Sequence, residues 1–144
     1  MSKKGLKTPL RYPGGKSRAC TKMGQFFPEL REYVEFREPF LGGGSVAIHV
    51  SKLYPHLKIT VNDLYEPLIN FWMNLQMFGD ELSTNLKNLK IAHPNQDSAR
   101  CLFAEMKDII NDSKQNTLDR AVAFYVVNKC SFSGLTESSS FSAQ

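Results

Sequence analysis

The sequence is short of several things, and each shortage removes a class of protein. Cysteine occurs three times in 144 residues, at Cys20, Cys101 and Cys130, far apart and odd in number. That argues against a disulfide framework and for reduced thiols in a cytoplasmic protein. No apolar run is long enough to cross a bilayer, and none near the start has the form of a signal peptide, so no membrane partner is expected. Asn111-Asp112-Ser113 has a glycosylation spacing, but nothing else marks the chain as secreted. The histidines His49, His56 and His93 are scattered, with no cysteine at ligand spacing, so no metal site is expected. Asp108, Asp112 and Asp119 form no pair suited to acid–base work, and no Ser–His–Asp set can be assembled. Acidic residues are missing before Glu29, while Lys3, Lys4, Lys7, Arg11, Lys16, Arg18 and Lys22 precede it. The seven prolines, Pro9, Pro13, Pro28, Pro39, Pro55, Pro67 and Pro94, include no adjacent pair.

What is present is globular in composition, at 42% hydrophobic and 22% charged, with a net charge of +4. A modest positive charge fits a nucleic-acid partner without requiring one. Leu6 to Tyr12 reads as an irregular arm and Pro13-Gly14-Gly15 as a turn. Lys16 to Phe26 has helical spacing, with Ala19, Met23 and Phe26 on one side and Pro28 as the stop. Tyr33 to Glu38 reads as a strand, Ser45 to Leu53 as a helix, and the alternating Leu57 to Val61 as a second strand. Beyond Asp63 the texture is helical. Asp63 or Tyr65 can begin a helix that carries Pro67 in its first turn, where proline is tolerated. Further helices are expected over about Asp80 to Lys90, Asp97 to Asn111 and Thr117 to Lys129, with a serine-rich loop from Cys130 to Gln144. The aromatics Phe71, Trp72 and Phe78 are expected in a core. The layout is a βαβ unit followed by a helical segment, and a parallel sheet of two strands has fewer than such sheets normally contain.

The stretch Glu38-Pro39-Phe40-Leu41-Gly42-Gly43-Gly44-Ser45-Val46 lies where a strand turns into a helix. Glycines let the backbone approach a ligand, and a helix N-terminus offers free N–H groups and a positive dipole end. About twenty residues on, Asp63 stands at the tip of the second strand, placed to accept from ribose hydroxyls. Gly42 to Ala47 fits the dinucleotide pattern G-x-G-x-x-A, so a nicotinamide enzyme is one reading. A phosphate-binding P-loop ending at Gly15-Lys16-Ser17 fails, since the glycine it needs five residues earlier is Leu10. The third reading is S-adenosyl-L-methionine, because Phe40 to Gly44 also has the form F-x-G-x-G. The ammonium group of that cofactor suits an acid such as Glu38, and its carboxylate suits backbone N–H groups or a lysine.

Four ordered segments carry a resemblance. They are Leu10 to Lys16 (LRYPGGK), Glu38 to Val46 (EPFLGGGSV), Asn62-Asp63-Leu64 with Leu68-Ile69, and Arg120 to Leu135 (RAVAFYVVNKCSFSGL). Together they span the chain, and it resembles the Dam-like DNA adenine N6-methyltransferases. The resemblance implies an α/β, Rossmann-like methyltransferase fold, of which this is the N-terminal portion, with an inserted helical DNA-recognition domain. Residues 1–65 would be the cofactor-binding part and 66–144 the recognition segment. It also implies S-adenosyl-L-methionine contacts at Tyr12, Lys16, Glu38, Pro39, Phe40, Gly42, Gly44 and Asp63. Double-stranded DNA would be met by Arg11, Lys129, Phe132, Ser133 and Gly134.

Two departures qualify the likeness. Ser133 stands where the family often has asparagine, and Thr136-Glu137 where an arginine commonly follows Gly-Leu. Arginine reads guanine in a bidentate manner; glutamate accepts from a cytosine amino group or repels phosphate, so the family's best-known target is not expected here. The family's Asp-Pro-Pro-Tyr motif hydrogen-bonds the adenine amino group and stacks on the flipped base. With no adjacent prolines, that motif is absent. In the family it follows the DNA-contacting segment, so the expectation is a cut-off chain, inactive and marginally stable alone. Its partners would be a missing C-terminal half or a restriction endonuclease. The other readings are a non-catalytic module that binds DNA and cofactor, and a nicotinamide-dependent oxidoreductase.

Overall fold

The computed structural model describes residues 5–143, as two compact units, one ending at Leu64 and the other beginning at Tyr65. Each is described by itself.

In the first unit, residues 5–19 are irregular, with a bend at Pro9-Leu10 and turns at Pro13-Gly14 and Ser17 to Ala19. The elements that follow are α1 (Cys20–Gly24), β1 (Glu35–Glu38), α2 (Ser45–Leu53) and β2 (Lys58–Val61). The strands pair in parallel, Glu35 opposite Lys58 and Glu38 opposite Val61. Asn62 N donates to Glu38 O (2.9 Å) and Leu41 N to Asn62 O (2.9 Å), which extends the ladder toward the glycines. Alternation sends Phe36 and Ile59 toward one face. There they pack on a buried cluster of Cys20, Leu30, Val46, Val50 and Leu57. Val50 is 1% exposed; burying a side chain of that size stabilises by roughly 1.5–3 kcal/mol.

Helix α1 is much shorter than the Lys16–Phe26 expected. Its N-cap, Ala19, supplies no side-chain hydrogen bond, and no acidic residue stands in its first turn. Lys16 and Arg18 sit at the end where the helix dipole disfavours cations, so the chain takes turns there instead.

The second unit comprises α3 (Glu66–Met77), α4 (Gly79–Ala92), α5 (Gln96–Ile110) and α6 (Thr117–Cys130). Asn95 and Asn116 cap α5 and α6 through bonds to Ser98 N (2.9 Å) and Asp119 N (2.8 Å). Helix α6 is buried on nearly every side, including Ala121, Ala123, Phe124 and Val127, and packs on α3, α4 and α5. A helix apolar all round belongs in a centre, and its alanines allow close approach. Phe71 stacks on Phe124 (5.5 Å between centroids) and on Tyr125 (5.9 Å). Phe71 is thus core, whereas Phe78 is 42% exposed and lies at its edge. After α6 the chain forms a closed loop: Ser131 and Phe141 make an isolated antiparallel bridge, and Ser142 N donates to Cys130 O (2.8 Å).

Among the described residues, no helix is long and apolar enough to cross a membrane.

Candidate functional site

The end of β1, the glycines and the start of α2 form one side of a cavity of about 200 Å³. Tyr12 to Lys16 form another side, and Asp63 closes it. Six of the eight expected cofactor residues line it: Tyr12, Lys16, Glu38, Phe40, Gly42 and Asp63. Pro39 and Gly44 are not on the wall. Gly44 is instead the N-cap of α2, with φ 72°, a left-handed backbone that a side chain would strain.

Two carboxylates hold the glycine loop by its backbone. Asp63 Oδ2 accepts from Gly42 N at 2.8 Å, and Glu38 Oε2 accepts from Ala47 N, in the first turn of α2, at 3.0 Å. Each is a charge-assisted bond, and the second also places a negative charge at the positive end of a helix. Burial pushes the Glu38 carboxyl up from its ordinary range; the Ala47 N–H and the Lys16 ammonium pull it partly back.

The Pro13-Gly14 turn is closed by Gly15 N donating to Tyr12 O at 2.9 Å. The segment after it is fixed to α2 by two contacts. Ser17 Oγ and Ser45 Oγ share a hydrogen bond of 2.7 Å, and the Cys20 thiol donates to Lys16 O (3.2 Å) and Ser45 O (3.6 Å). Tyr12 lies against the glycines so closely that a Cβ on Gly43 would come within 2.8 Å of Tyr12 Cβ. Phe40 is 80% exposed at the rim. A second cavity, of about 380 Å³, lies beyond Tyr12, bordered by Thr8, Ser17 and Arg18.

The expected DNA residues fall in both units. Arg11 belongs to the arm. Lys129, Phe132, Ser133 and Gly134 sit together at the end of α6 and the start of the closed loop. Lys129 Nζ stands over the Tyr125 ring at 5.2 Å. Phe132 is 62% exposed. Ser133 has φ 53°, the only non-glycine residue with a left-handed backbone among those described. The fully buried Asn128 donates to Gly134 O at 2.9 Å. Sequence reasoning missed that anchor, although an amide within an apolar helical run was the available sign. It also missed the serine pair, which no local pattern announces.

Charge divides unevenly. Residues 1–64 hold eleven basic and five acidic side chains, residues 65–144 seven basic and nine acidic.

Among the described residues, no group of histidine, cysteine, aspartate and glutamate could hold a metal ion.

The model of the family described as D12 class N6 adenine-specific DNA methyltransferase matches residues 12–144. The chain is 25% identical over 137 residues to the type II methyltransferase M.MjaIII of Methanocaldococcus jannaschii, covering 90% of this chain and 47% of that protein. It is 27% identical over 126 residues to the DNA N-6-adenine-methyltransferase of Escherichia phage P1, covering 88% of this chain and 15% of that protein. The chain therefore spans about half the length of the first relative and much less of the second.

Proposed function

As the chain belongs to the D12 class N6 adenine-specific DNA methyltransferases, we propose that the protein carrying it transfers a methyl group from S-adenosyl-L-methionine to adenine N6 in duplex DNA. One observation carries the cofactor assignment. A glycine loop is clasped by the carboxylates of Glu38 and Asp63, with Lys16 facing the same cavity. That donor set suits an adenosyl amino acid. Asp63 accepts from ribose hydroxyls, Glu38 meets the ammonium group, and Lys16 or the loop N–H groups meet the carboxylate. No pyrophosphate-sized cationic cradle is needed.

When bound, S-adenosyl-L-methionine supplies an electrophilic methyl group on a sulfonium. The chain's own residues bind and orient. Phe40 shields the rim, and Gly42 and Gly43 keep side chains out of the ligand's path. Pockets for ligands of this kind usually measure about 300–1,000 Å³. The cavity here, at about 200 Å³, is smaller, with Tyr12 on its wall beside the glycines.

In this reading the two parallel strands and α2 begin a Rossmann-like sheet. The helices from residue 66 belong to an inserted DNA-recognition domain. Arg11 and Lys129 contact phosphates, and Phe132, Ser133 and Gly134 meet the duplex where an adenine leaves the stack. That extrusion costs roughly a few kcal/mol.

The test is methyl transfer to duplex DNA by the whole protein, with Asp63→Ala and Lys16→Ala beside it. Both variants are expected to lose cofactor affinity at least tenfold. Asp63→Asn, which keeps an oxygen for Gly42 N, should preserve folding while weakening ribose binding. A whole protein that neither binds the cofactor nor methylates adenine overturns the reading.

A further inference from the structure

The cavity beyond Tyr12 differs in chemistry from the cofactor cavity beside it. Tyr12, Gly14, Gly15 and Ser45 line both. The first adds two carboxylates, Glu38 and Asp63. The second, of about 380 Å³, adds none; its other side chains are those of Thr8, Leu10, Ser17 and Arg18. Arg18 is exposed and makes no ion pair among the described residues.

The hydroxyls of this cavity have protons left to give. Thr8 Oγ1 accepts from Leu10 N at 3.2 Å, which uses a lone pair and leaves its O–H. Ser17 Oγ and Ser45 Oγ are 2.7 Å apart, and only one of the two donates in that bond. The accepting hydroxyl keeps its own proton for another partner. A guanidinium adds five N–H donors and accepts nothing. Donors and a cation, with no carboxylate, select a ligand that carries negative charge and only accepts. The non-bridging oxygens of a phosphodiester meet both conditions, and arginine can match them in bidentate fashion. A sugar hydroxyl or a base amino group would bring donors of its own.

We infer that this cavity holds a backbone phosphate flanking the target adenine, gripped by Arg18 with the hydroxyls of Thr8 and of the Ser17–Ser45 pair. The inference rests on the DNA-methylating reading above. Position supports it. For transfer, adenine N6 must come within about 3–3.5 Å of the cofactor methyl group. A nucleotide whose base reaches the cofactor cavity brings its own phosphates close, and the donor-lined cavity shares four residues with that one. Such a contact fixes the register of the duplex and carries no sequence information.

The test uses the whole protein and a duplex that it methylates. Phosphates around the target adenine are replaced one at a time by neutral methylphosphonates, and binding is measured across a salt series. Arg18→Gln and Arg18→Lys are run beside the parent, with circular dichroism and S-adenosylhomocysteine titration as checks on folding and on the cofactor site. The parent should lose about tenfold in affinity at one phosphate next to the target. Arg18→Gln should show that loss on the unmodified duplex and no further loss at that one phosphate. Its salt slope should be shallower by about 0.9, the share of one phosphate, whereas Arg18→Lys should keep the parent slope. Losses that add at every phosphate mark diffuse attraction and overturn the inference. So does an equal fall in S-adenosylhomocysteine affinity, which would assign Arg18 to the cofactor. Inorganic phosphate that shifts the Arg18 Nε–H NMR signal, in a protein whose duplex binding ignores Arg18→Gln, assigns the cavity to free phosphate and overturns it too. These outcomes leave the methylation reading intact; a whole protein that binds neither cofactor nor duplex overturns both.

Discussion

Replacing Gly43 by alanine tests whether the arm and the glycine loop form one surface. An added Cβ would lie 2.8 Å from Tyr12 Cβ. Carbon atoms in contact prefer about 3.5–4.0 Å, so one of the two segments must retreat by about 1 Å. The obstacle is a Cβ, which a rotamer change cannot move. Gly43 is not among the glycines with left-handed backbone, so the substitution adds a steric conflict without backbone strain. Overpacking of this kind typically costs about 1–3 kcal/mol. If the arm completes the cofactor site, most of that cost appears as lost affinity, about tenfold for each 1.4 kcal/mol. The assay is calorimetric titration with the demethylated product, S-adenosylhomocysteine, alongside urea denaturation. A double-mutant design sharpens it. Tyr12→Gly removes the opposing Cβ and should abolish the extra cost of Gly43→Ala, whereas Tyr12→Ala keeps that Cβ and should not. The coupling energy is the readout, since losing the Tyr12 ring has its own effect. Parent-like binding by Gly43→Ala, or equal rescue by the two Tyr12 variants, refutes the reasoning.

Other consequences are as direct. Ser133→Val should destabilise the second unit by about 1–2 kcal/mol, because a β-branched residue tolerates φ 53° worse than serine does. Ser133→Gly should be neutral or stabilising, and thermal melts separate the two. Glu35 is held at about 2, chiefly by the Arg37 hydrogen bond and then by that from Thr60. Its folded pKa lies below its unfolded one, so its contribution to stability is present above the ordinary value of 4.5 and is lost as the pH falls toward 2. Carboxyl NMR titration should show this, and Arg37→Gln should return the midpoint toward the ordinary range; an unmoved midpoint contradicts the assignment. Arg120 donates through Nε to Ile110 O (2.9 Å) and through its fork to Glu66. Arg120→Lys cannot keep both and should cost about 1.5–3 kcal/mol in urea unfolding. Glu66→Gln, at the exposed end of the pair, should cost less than about 1 kcal/mol.

The sequence made the local elements legible and left the cross-chain bonds dark. Helix α2 runs from Ser45 to Leu53 as its pattern predicts, because a glycine stop and a following Tyr-Pro mark both ends. The helices beyond Asp63 were readable to within a few residues from their apolar periods, whereas the side-chain caps at Asn95 and Asn116 emerged only in the structure. Lys16 to Phe26 misled because apolar spacing says nothing about cations at a helix start. In the site, the residue types around the glycines pointed to a cofactor. That Asp63 and Glu38 each give an oxygen to the loop itself is a property of the folded β–α–β geometry, at separations of 21 and 9 residues. The left-handed Ser133 was likewise invisible, since serine carries no preference for that conformation.

The division of charge has a consequence for retargeting. Affinity for any duplex grows with the cations that neutralise phosphates, and that part is blind to sequence and weakened by salt. On the proposed DNA-methylating reading, the helical unit, with fewer basic than acidic side chains, would add little to it. In a protein that reads DNA, such a unit can exchange its loop residues without altering how firmly the whole clings to random sequence. New target preferences would then arise by changing the sorting step alone, while the basic N-terminal unit would keep the same hold on every duplex.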